Sequence, residues 1–201
     1  MTVYIVRHAH KEEGDFFNPG LRHQDQPTSR EGRAQAQALC AYFEDKEISK
    51  IYISAYQRTQ QTIAPVAARF NLVPVLDERL NEIDNGLFDG GTEAELQLNF
   101  PEEWRAFCER KTDFRFPEGE SGEGARDRIA AFLEEVREAH GESNTIAVTH
   151  EGWIRLLMCH IMGNPVYHRW NFYVDYCGIT ELVYQPDHGA WKLMRFNQVC
   201  A

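Results

Sequence analysis

Two histidines follow short apolar runs in this sequence. Residues 2–6 are nearly all apolar and lead into Arg7 and His8, and residues 144–149 lead into His150. Short, continuous apolar runs predict strands that are buried on both faces. Ligands of open α/β sheets bind beyond the carboxyl ends of the strands. We therefore expect Arg7, His8 and His150 to lie together at one edge of a sheet.

A third basic side chain belongs to the loop after another predicted strand, at residues 50–53. The loop reads Ser-Ala-Tyr-Gln-Arg over residues 54–58 and opens a helix, where backbone N–H groups and the helix dipole favour an anion. Arg7 and Arg58 could then grip the oxygens of a phosphoryl group, with charged contacts worth about 1.5 to 3 kcal/mol each. A neutral histidine could attack the phosphorus, forming a phosphohistidine that divides the hydrolysis into two easier displacements.

The alkoxide that departs in such a reaction needs a proton from a nearby carboxylic acid. Residues 80–86 read Leu-Asn-Glu-Ile-Asp-Asn-Gly and supply two candidates, Glu82 and Asp84. Both carboxyl groups lie on the same predicted loop, so either could be the donor.

Strands and helices alternate along the chain, which predicts a mostly parallel sheet with helices on both faces. A Thr-Ser-Arg-Glu capping box at residues 28–31 should start the first helix. The second helix should kink or break at Pro65, and its buried face is marked by residues at helical spacing: Thr59, Thr62, Ile63, Val66, Ala67 and Phe70. Ser121 or a neighbour should start a third helix that stops at Gly141.

The end of the chain predicts a fourth helix over about residues 152–162 and then a β-hairpin of residues 179–184 and 190–196. Residues 82–121 are irregular and too long for a plain connection, so we expect a lid-like excursion there, with short helices around 93–110. The fold class is a three-layer α/β/α sandwich with an antiparallel edge hairpin. We expect one domain over residues 1–201.

Composition narrows the possible partners and location. The 201 residues carry 21 Lys and Arg against 31 Asp and Glu, a net charge of −10 that disfavours nucleic acid or anionic lipid as a partner. Apolar stretches are too short to span a membrane, and Arg7 interrupts any secretory apolar core. Five scattered cysteines without a CxxC pair favour reduced thiols over disulfides or zinc. We predict a cytoplasmic protein with no membrane partner.

Five motifs in the expected order resemble the histidine phosphatase superfamily, which is also called the phosphoglycerate mutase-like family. Each of the five motifs of the family has a counterpart in this chain. The family motifs are, in order, Arg-His-Gly, Ser-Pro-x-x-Arg-x-x-x-Thr, Leu-x-Glu followed by Gly-x-x-x-Gly, Pro-x-Gly-Glu-Ser, and a second histidine. They correspond to Arg7-His8-Ala9, Ser54 to Thr62 with Arg58, Leu80-Asn-Glu82 with Gly86 to Gly90, Pro117 to Ser121, and His150-Glu-Gly152.

The resemblance covers essentially the whole chain and implies a phosphoglycerate mutase-like fold. It implies that His8 is the nucleophile, that Arg7, Arg58 and His150 bind the phosphoryl group, and that Glu82 is the proton donor. The implied activity is metal-independent hydrolysis of a small phosphorylated metabolite, with no cofactor. The short stretch from residue 86 to 121 favours the phosphatase branch.

Three residues depart from the family pattern. Ala9 replaces the usual glycine, and His10 stands where Glu or Gln is frequent. Glu151 replaces a frequent glycine after the second histidine and puts a carboxylate beside an anion site, where it could tune specificity or disfavour highly charged substrates. None of the three changes removes a catalytic group.

Other functions remain open at the level of sequence. A cofactor-dependent phosphoglycerate mutase would return the phosphoryl group to its substrate. A metallohydrolase could use His8 and His10 with Glu12 and Asp15, although Arg7 would repel a cation. An inactive module that only binds a phosphorylated ligand is the third alternative.

Overall fold

The computed structural model describes residues 1–141 and 143–200. Within these residues the chain forms eight strands and six α-helices, with short 3-10 helices in the connections. In chain order they are β1 Thr2–Arg7, β2 Phe17–Asn18, β3 His23–Gln24, α1 Arg30–Tyr42, β4 Ile48–Ile53, α2 Gln57–Phe70, β5 Val75–Leu76, α3 Glu93–Asn99, α4 Pro101–Glu109, α5 Gly122–His140, β6 Asn144–Thr149, α6 Glu151–Met162, β7 Ile179–Gln185 and β8 Ala190–Gln198.

Six strands form the central sheet in the order β5-β4-β6-β1-β7-β8. The first four are mutually parallel, so the carboxyl ends of β1, β4 and β6 meet at one edge. Strands β7 and β8 are antiparallel and form the predicted edge hairpin. The structure confirms a mostly parallel sheet with an antiparallel edge.

Alternate residues of β1 face two separate cores, as the pleat of a strand requires. Val3 and Ile5 contact the core of α5 and α6, whereas Tyr4 and Val6 contact the core of α1 and α2. All four side chains are buried. The predicted three layers are therefore confirmed, and the apolar run of β1 is explained by burial on both faces.

Between residues 82 and 121 the chain leaves the sheet and forms α3 and α4, which confirms the short helices predicted near 93–110. Phe88 lies at the centre of an aromatic cluster, with ring centroids 5.2–6.4 Å from those of Phe100, Trp104, Phe107, Phe114 and Phe116. This aromatic cluster packs against the core of α5 and α6, to which Phe116 belongs. Its role as a lid stays a prediction, as does the domain boundary.

One local prediction, the N-cap of α1, is wrong. Ser29, not Thr28, is the N-cap of α1, because its side chain accepts a hydrogen bond from the Gly32 N–H. The Thr28 hydroxyl instead donates to Gln61 Oε1. Helix α2 runs unbroken through Pro65, so no break occurs there, and the alternative of a kink stays a prediction.

One element gave no signal in the sequence. Strands β2 and β3 form a separate two-stranded antiparallel ribbon in the loop after β1. The ribbon carries His23 and Gln24 to the side of the cavity described below.

Candidate active site

A cavity of about 520 Å³ opens at the carboxyl edge of the parallel strands. Four of the five predicted site residues line it: Arg7 at the end of β1, His8 directly after it, Arg58 in the first turn of α2, and Glu82 after β5. The fifth, His150, is fully buried behind His8, with the two ring centroids 5.1 Å apart. The fold therefore brings all five side chains together, as expected for parallel strand ends.

The His8 ring is fixed in one tautomer. Its Nδ1 lies 2.8 Å from the Ala9 carbonyl oxygen, which can only accept, so Nδ1 carries the proton and Nε2 keeps its lone pair. Burial lowers the pKa of His8 well below its ordinary value of 6.5, and the nearby Arg58 lowers it further. At neutral pH the ring is thus an uncharged imidazole with a nucleophilic nitrogen.

Ala9 and Thr62 connect the His8 loop to α2. The Ala9 N–H donates to Thr62 Oγ1 at 2.8 Å, and that hydroxyl donates to the Arg58 carbonyl at 2.6 Å. The last threonine of the Ser-x-x-x-Arg-x-x-x-Thr motif therefore joins the loop of the nucleophile to the helix of Arg58. Ala9, which replaces glycine, is itself fully buried.

Both nitrogens of His150 are used within the protein. Nδ1 accepts from Arg58 Nη2 at 3.1 Å, so the proton lies on Nε2, which donates to Ser54 Oγ at 2.8 Å. Ser54 Oγ can in turn donate to Thr59 Oγ1 at 3.1 Å. Burial and Arg58 lower the pKa of His150 well below 6.5. His150 thus holds the Arg58 guanidinium in place as a neutral acceptor.

The two arginines present buried donors at this site. Arg58 is only 6% exposed, and its Nε and Nη1 have no hydrogen-bond partner among the described residues. Arg7 Nε is likewise buried without a partner. Buried N–H groups without acceptors are costly, and an anion that accepts from them would remove that cost. These donors suit the oxygens of a phosphoryl group.

Glu82 and Asp84 occupy different positions. Glu82 lines the cavity, and its carboxylate accepts from the backbone N–H groups of Ile83, Gly152 and Trp153 at 3.0–3.1 Å. Asp84 does not line that cavity; its Oδ1 accepts from Gly86 N–H at 2.7 Å. Of the two candidate proton donors, only Glu82 therefore lines the cavity beside His8, and its role as the donor stays a prediction.

Gly152 makes the Glu82 position possible. A Cβ at Gly152 would lie 2.7 Å from Glu82 Oε1, so a larger residue would displace the carboxylate from the helix N-terminus.

Glu151 is the departure with the largest structural consequence. Its Oε2 lies 2.9 Å from Arg7 Nη2, and its other oxygen pairs with Arg155. It also lines the cavity. A carboxylate therefore competes with any bound anion for Arg7.

His10 lies outside the set of side chains that line the cavity. Its Nδ1 forms a hydrogen bond with Ser29 Oγ at 2.8 Å, at the start of α1. His8 and His10 therefore do not face a common space. No group of three or more His, Cys, Asp or Glu side chains among residues 1–141 and 143–200 could hold a metal ion.

Several side chains at the site gave no clear signal in the sequence. Tyr176, from the loop before β7, lies under the Arg7 guanidinium at 4.1 Å, and Tyr56 lies at 4.2 Å from that of Arg58. Asn18 of β2 does not line the cavity, and its side-chain amide donates to Asp25 Oδ2 at 3.1 Å. Lys11 and Gln26 from the same loop line the cavity instead.

Comparison with known proteins identifies the family. The model of the histidine phosphatase superfamily, branch 1, matches residues 3–198. The chain belongs to this superfamily. The chain is also similar to Phosphoserine phosphatase 1 of Hydrogenobacter thermophilus, with 32% identity over 100% of the chain and 93% of that protein.

Two further similarities agree with this assignment. A Shigella dysenteriae protein named "Probable phosphoglycerate mutase GpmB" is 29% identical over 92% of this chain and 86% of its own length. The crystal structure of the alpha-ribazole phosphatase from Shigella flexneri has a TM-score of 0.80 at 22% identity and covers 98% of this chain and 96% of that chain. The latter likeness supports the phosphoglycerate mutase-like fold.

The chain is thus a phosphatase of the histidine phosphatase superfamily, which confirms the predicted family and class of enzyme. Within the described residues, no helix has the length and apolar character needed to cross a membrane.

Proposed function

We propose that this phosphatase hydrolyses a small phosphomonoester through a phosphohistidine on His8. The observation that carries the proposal is the state of the His8 ring: buried, uncharged, with Nδ1–H held by the Ala9 carbonyl and Nε2 left as the nucleophile. Arg7 and Arg58 supply donors for the phosphoryl oxygens. Relatives are named for phosphoserine and phosphoglycerate, which makes phosphoserine the first substrate to assay.

The reaction proceeds in two displacements. In the first, His8 Nε2 forms a bond to phosphorus while the bond from phosphorus to the ester oxygen breaks, and Glu82 gives that oxygen a proton. In the second, Glu82 takes a proton from water as the water oxygen attacks phosphorus and the P–N bond breaks. Inorganic phosphate leaves, and His8 regains its lone pair. Arg58, held by His150, stabilises the equatorial oxygens in both steps.

A trapping experiment tests the intermediate. Enzyme quenched during turnover of ³²P-phosphoserine should carry label that is labile in acid and stable in base, which is typical of phosphohistidine. The variant His8→Ala should lose both the label and turnover. His10→Ala is the matched control, because His10 lies outside the cavity, and it should keep activity within a few-fold. Label that survives acid, or full activity in His8→Ala, would contradict the proposal.

The product distinguishes hydrolysis from phosphoryl return. With 3-phosphoglycerate, with and without bisphosphoglycerate, we expect inorganic phosphate rather than 2-phosphoglycerate. EDTA should leave the rate unchanged; loss of activity with EDTA and recovery with zinc or manganese would instead support a metallohydrolase.

A cytoplasmic location stays a prediction, supported by the free thiols of all five cysteines.

A further inference from the structure

Lys11 is a cation of the cavity that the catalytic roles above do not use. It lines the cavity beside Arg7, His8 and Arg58 and is half-buried. Its backbone is fixed, because Lys11 pairs with Thr28 in an isolated β-bridge and the Glu12 N–H donates to the Pro27 carbonyl at 2.8 Å. The side chain is therefore held at the cavity by its own segment.

Lys11 differs from the other cations of the cavity in its partners. Arg7 pairs with Glu151, Arg22 lies 3.7 Å from Glu118, and Arg58 lies 4.0 Å from Asp25. Within residues 1–141 and 143–200, Lys11 has no carboxylate within 4.0 Å; its Nζ donates only to Gln26 Oε1, at 3.2 Å. Burial and the charges of Arg58 and Arg7 lower its pKa. An ammonium group in such surroundings is stabilised by a bound anion.

Gln26 completes a pair of donors. An ammonium group has no lone pair to offer, so the oxygen of the Gln26 amide must face Lys11 and the NH₂ end must point away from it. Gln26 also lines the cavity and is buried. An ammonium group and an amide NH₂, carried by two side chains that contact each other in the cavity, suit the two oxygens of a carboxylate.

The charge of the cavity favours a singly charged second group. Apart from the histidines, the lining carries four cations, Arg7, Lys11, Arg22 and Arg58, and three carboxylates, Glu82, Asp89 and Glu151. A phosphoryl group already places about two negative charges there. A monoanionic carboxylate adds less repulsion from the three acidic side chains than a second phosphate would.

We propose that Lys11 and Gln26 determine specificity by binding a carboxylate of the substrate, so that the enzyme prefers phosphomonoesters of small hydroxy acids. The inference rests on the proposed function, since it places the phosphoryl group on Arg7 and Arg58 and leaves Lys11 to the rest of the substrate.

The test compares two substrates that differ only in the carboxylate, O-phosphoserine and O-phosphoethanolamine. The native enzyme should prefer phosphoserine in kcat/KM. Lys11→Met should lower kcat/KM for phosphoserine about ten- to a hundredfold, the range expected for loss of one charge-assisted hydrogen bond. Phosphoethanolamine should change by about twofold or less. Lys50→Met, which removes a half-buried cation from β4, is the matched control and should alter neither substrate.

A second variant distinguishes a loss of specificity from a loss of folding. Gln26→Glu keeps the size of the side chain but places a carboxylate beside Lys11, and it should also penalise phosphoserine more than phosphoethanolamine. Equal loss on both substrates in these variants, or no loss, would overturn the proposal. So would a native enzyme without a preference for phosphoserine.

Calorimetry separates this proposal from the mechanism. Binding of both compounds to His8→Ala, and to His8→Ala combined with Lys11→Met, does not depend on turnover. A selective loss of phosphoserine affinity would support the carboxylate site even if the trapping experiment failed. Equal affinities in the two proteins would overturn the carboxylate site even if His8 carried the phosphoryl group.

Discussion

The Glu82 carboxylate both faces the cavity and caps α6, and the substitution Glu82→Gln separates these two roles. In the native chain Oε1 accepts from Ile83 and Trp153 N–H at 3.0 Å each, and Oε2 accepts from Gly152 N–H at 3.1 Å. A glutamine can keep the first two bonds through its oxygen. Its NH₂ group would then face the Gly152 N–H, so one bond is lost and a donor opposes a donor.

The cost to stability follows from that geometry. One lost hydrogen bond contributes about 0.5 to 1.5 kcal/mol, and the lost charge at the helix N-terminus about 0.3 to 1 kcal/mol. The free energy of unfolding should fall by about 1 to 2.5 kcal/mol. For a chain of this length the melting temperature should fall by roughly 2 to 10 °C, measured by calorimetry.

The effect on catalysis should depend on the leaving group. Phosphoserine expels an alkoxide that requires protonation, so kcat should fall about 10²- to 10⁴-fold without the acid. p-Nitrophenyl phosphate expels a weakly basic phenolate and should lose much less. Steady-state release of inorganic phosphate from both substrates measures the difference.

Asp84→Asn is the matched control for Glu82→Gln. The Asp84 side chain lies outside the cavity, and an asparagine oxygen can still accept from Gly86 N–H. This variant should keep activity on both substrates within a few-fold. Equal losses on the alkyl and aryl substrates in Glu82→Gln would refute the assignment of Glu82 as the acid, and a selective alkyl loss in Asp84→Asn would transfer the role to Asp84.

Two further predictions concern the charges around the nucleophile. Since burial lowers the pKa of His8 and His150 below 6.5, the unfolded chain binds protons that the folded chain does not, so stability should fall as pH decreases below 6.5. Each histidine changes the free energy of unfolding by at most about 1.4 kcal/mol per pH unit. In denaturation experiments at several pH values, the free energy of unfolding should therefore depend less steeply on pH in His8→Ala than in the native protein. Identical slopes in the two proteins would contradict this prediction. Glu151→Gln should tighten inhibition by inorganic phosphate about two- to fivefold, because it releases Arg7 from its ion pair. The control Glu118→Gln, which removes an exposed ion pair with Arg22, should leave this inhibition unchanged. Unchanged inhibition in Glu151→Gln would show that the Glu151 carboxylate does not compete with phosphate for Arg7.

Strands and the site residues attached to them could be predicted because burial leaves a direct signal in the sequence. The apolar runs before His8 and His150 are fully buried strands, and a residue directly after such a strand has little freedom in where it lies. Arg58 was predictable for the same reason, since it lies in the first turn of the helix after β4. The parallel order of β4, β6 and β1 then brings these ends together.

Local competition between side chains explains what could not be predicted. Thr28 and Ser29 are both good helix caps, and the choice depends on Gln61, which is distant in sequence and occupies the Thr28 hydroxyl. Lys11 and Tyr176 lie in irregular segments without periodicity, so nothing in their neighbourhood indicates which way they face. Their positions follow from contacts with residues more than a dozen positions away.

The antiparallel direction of β7 affects how the protein could be modified. Because β7 begins at the carboxyl end of β1, the loop before it brings Val174 and Tyr176 to Arg7. The turn between β7 and β8, at Pro186–His188 and Gly189, lies at the opposite end of the sheet. A dye or an inserted peptide at that turn would stand a full strand length from the reacting phosphorus, whereas deletion of the hairpin would remove the support of Arg7. The edge hairpin is thus a structural part of the site, whereas the turn between β7 and β8 is a convenient point at which to attach a label.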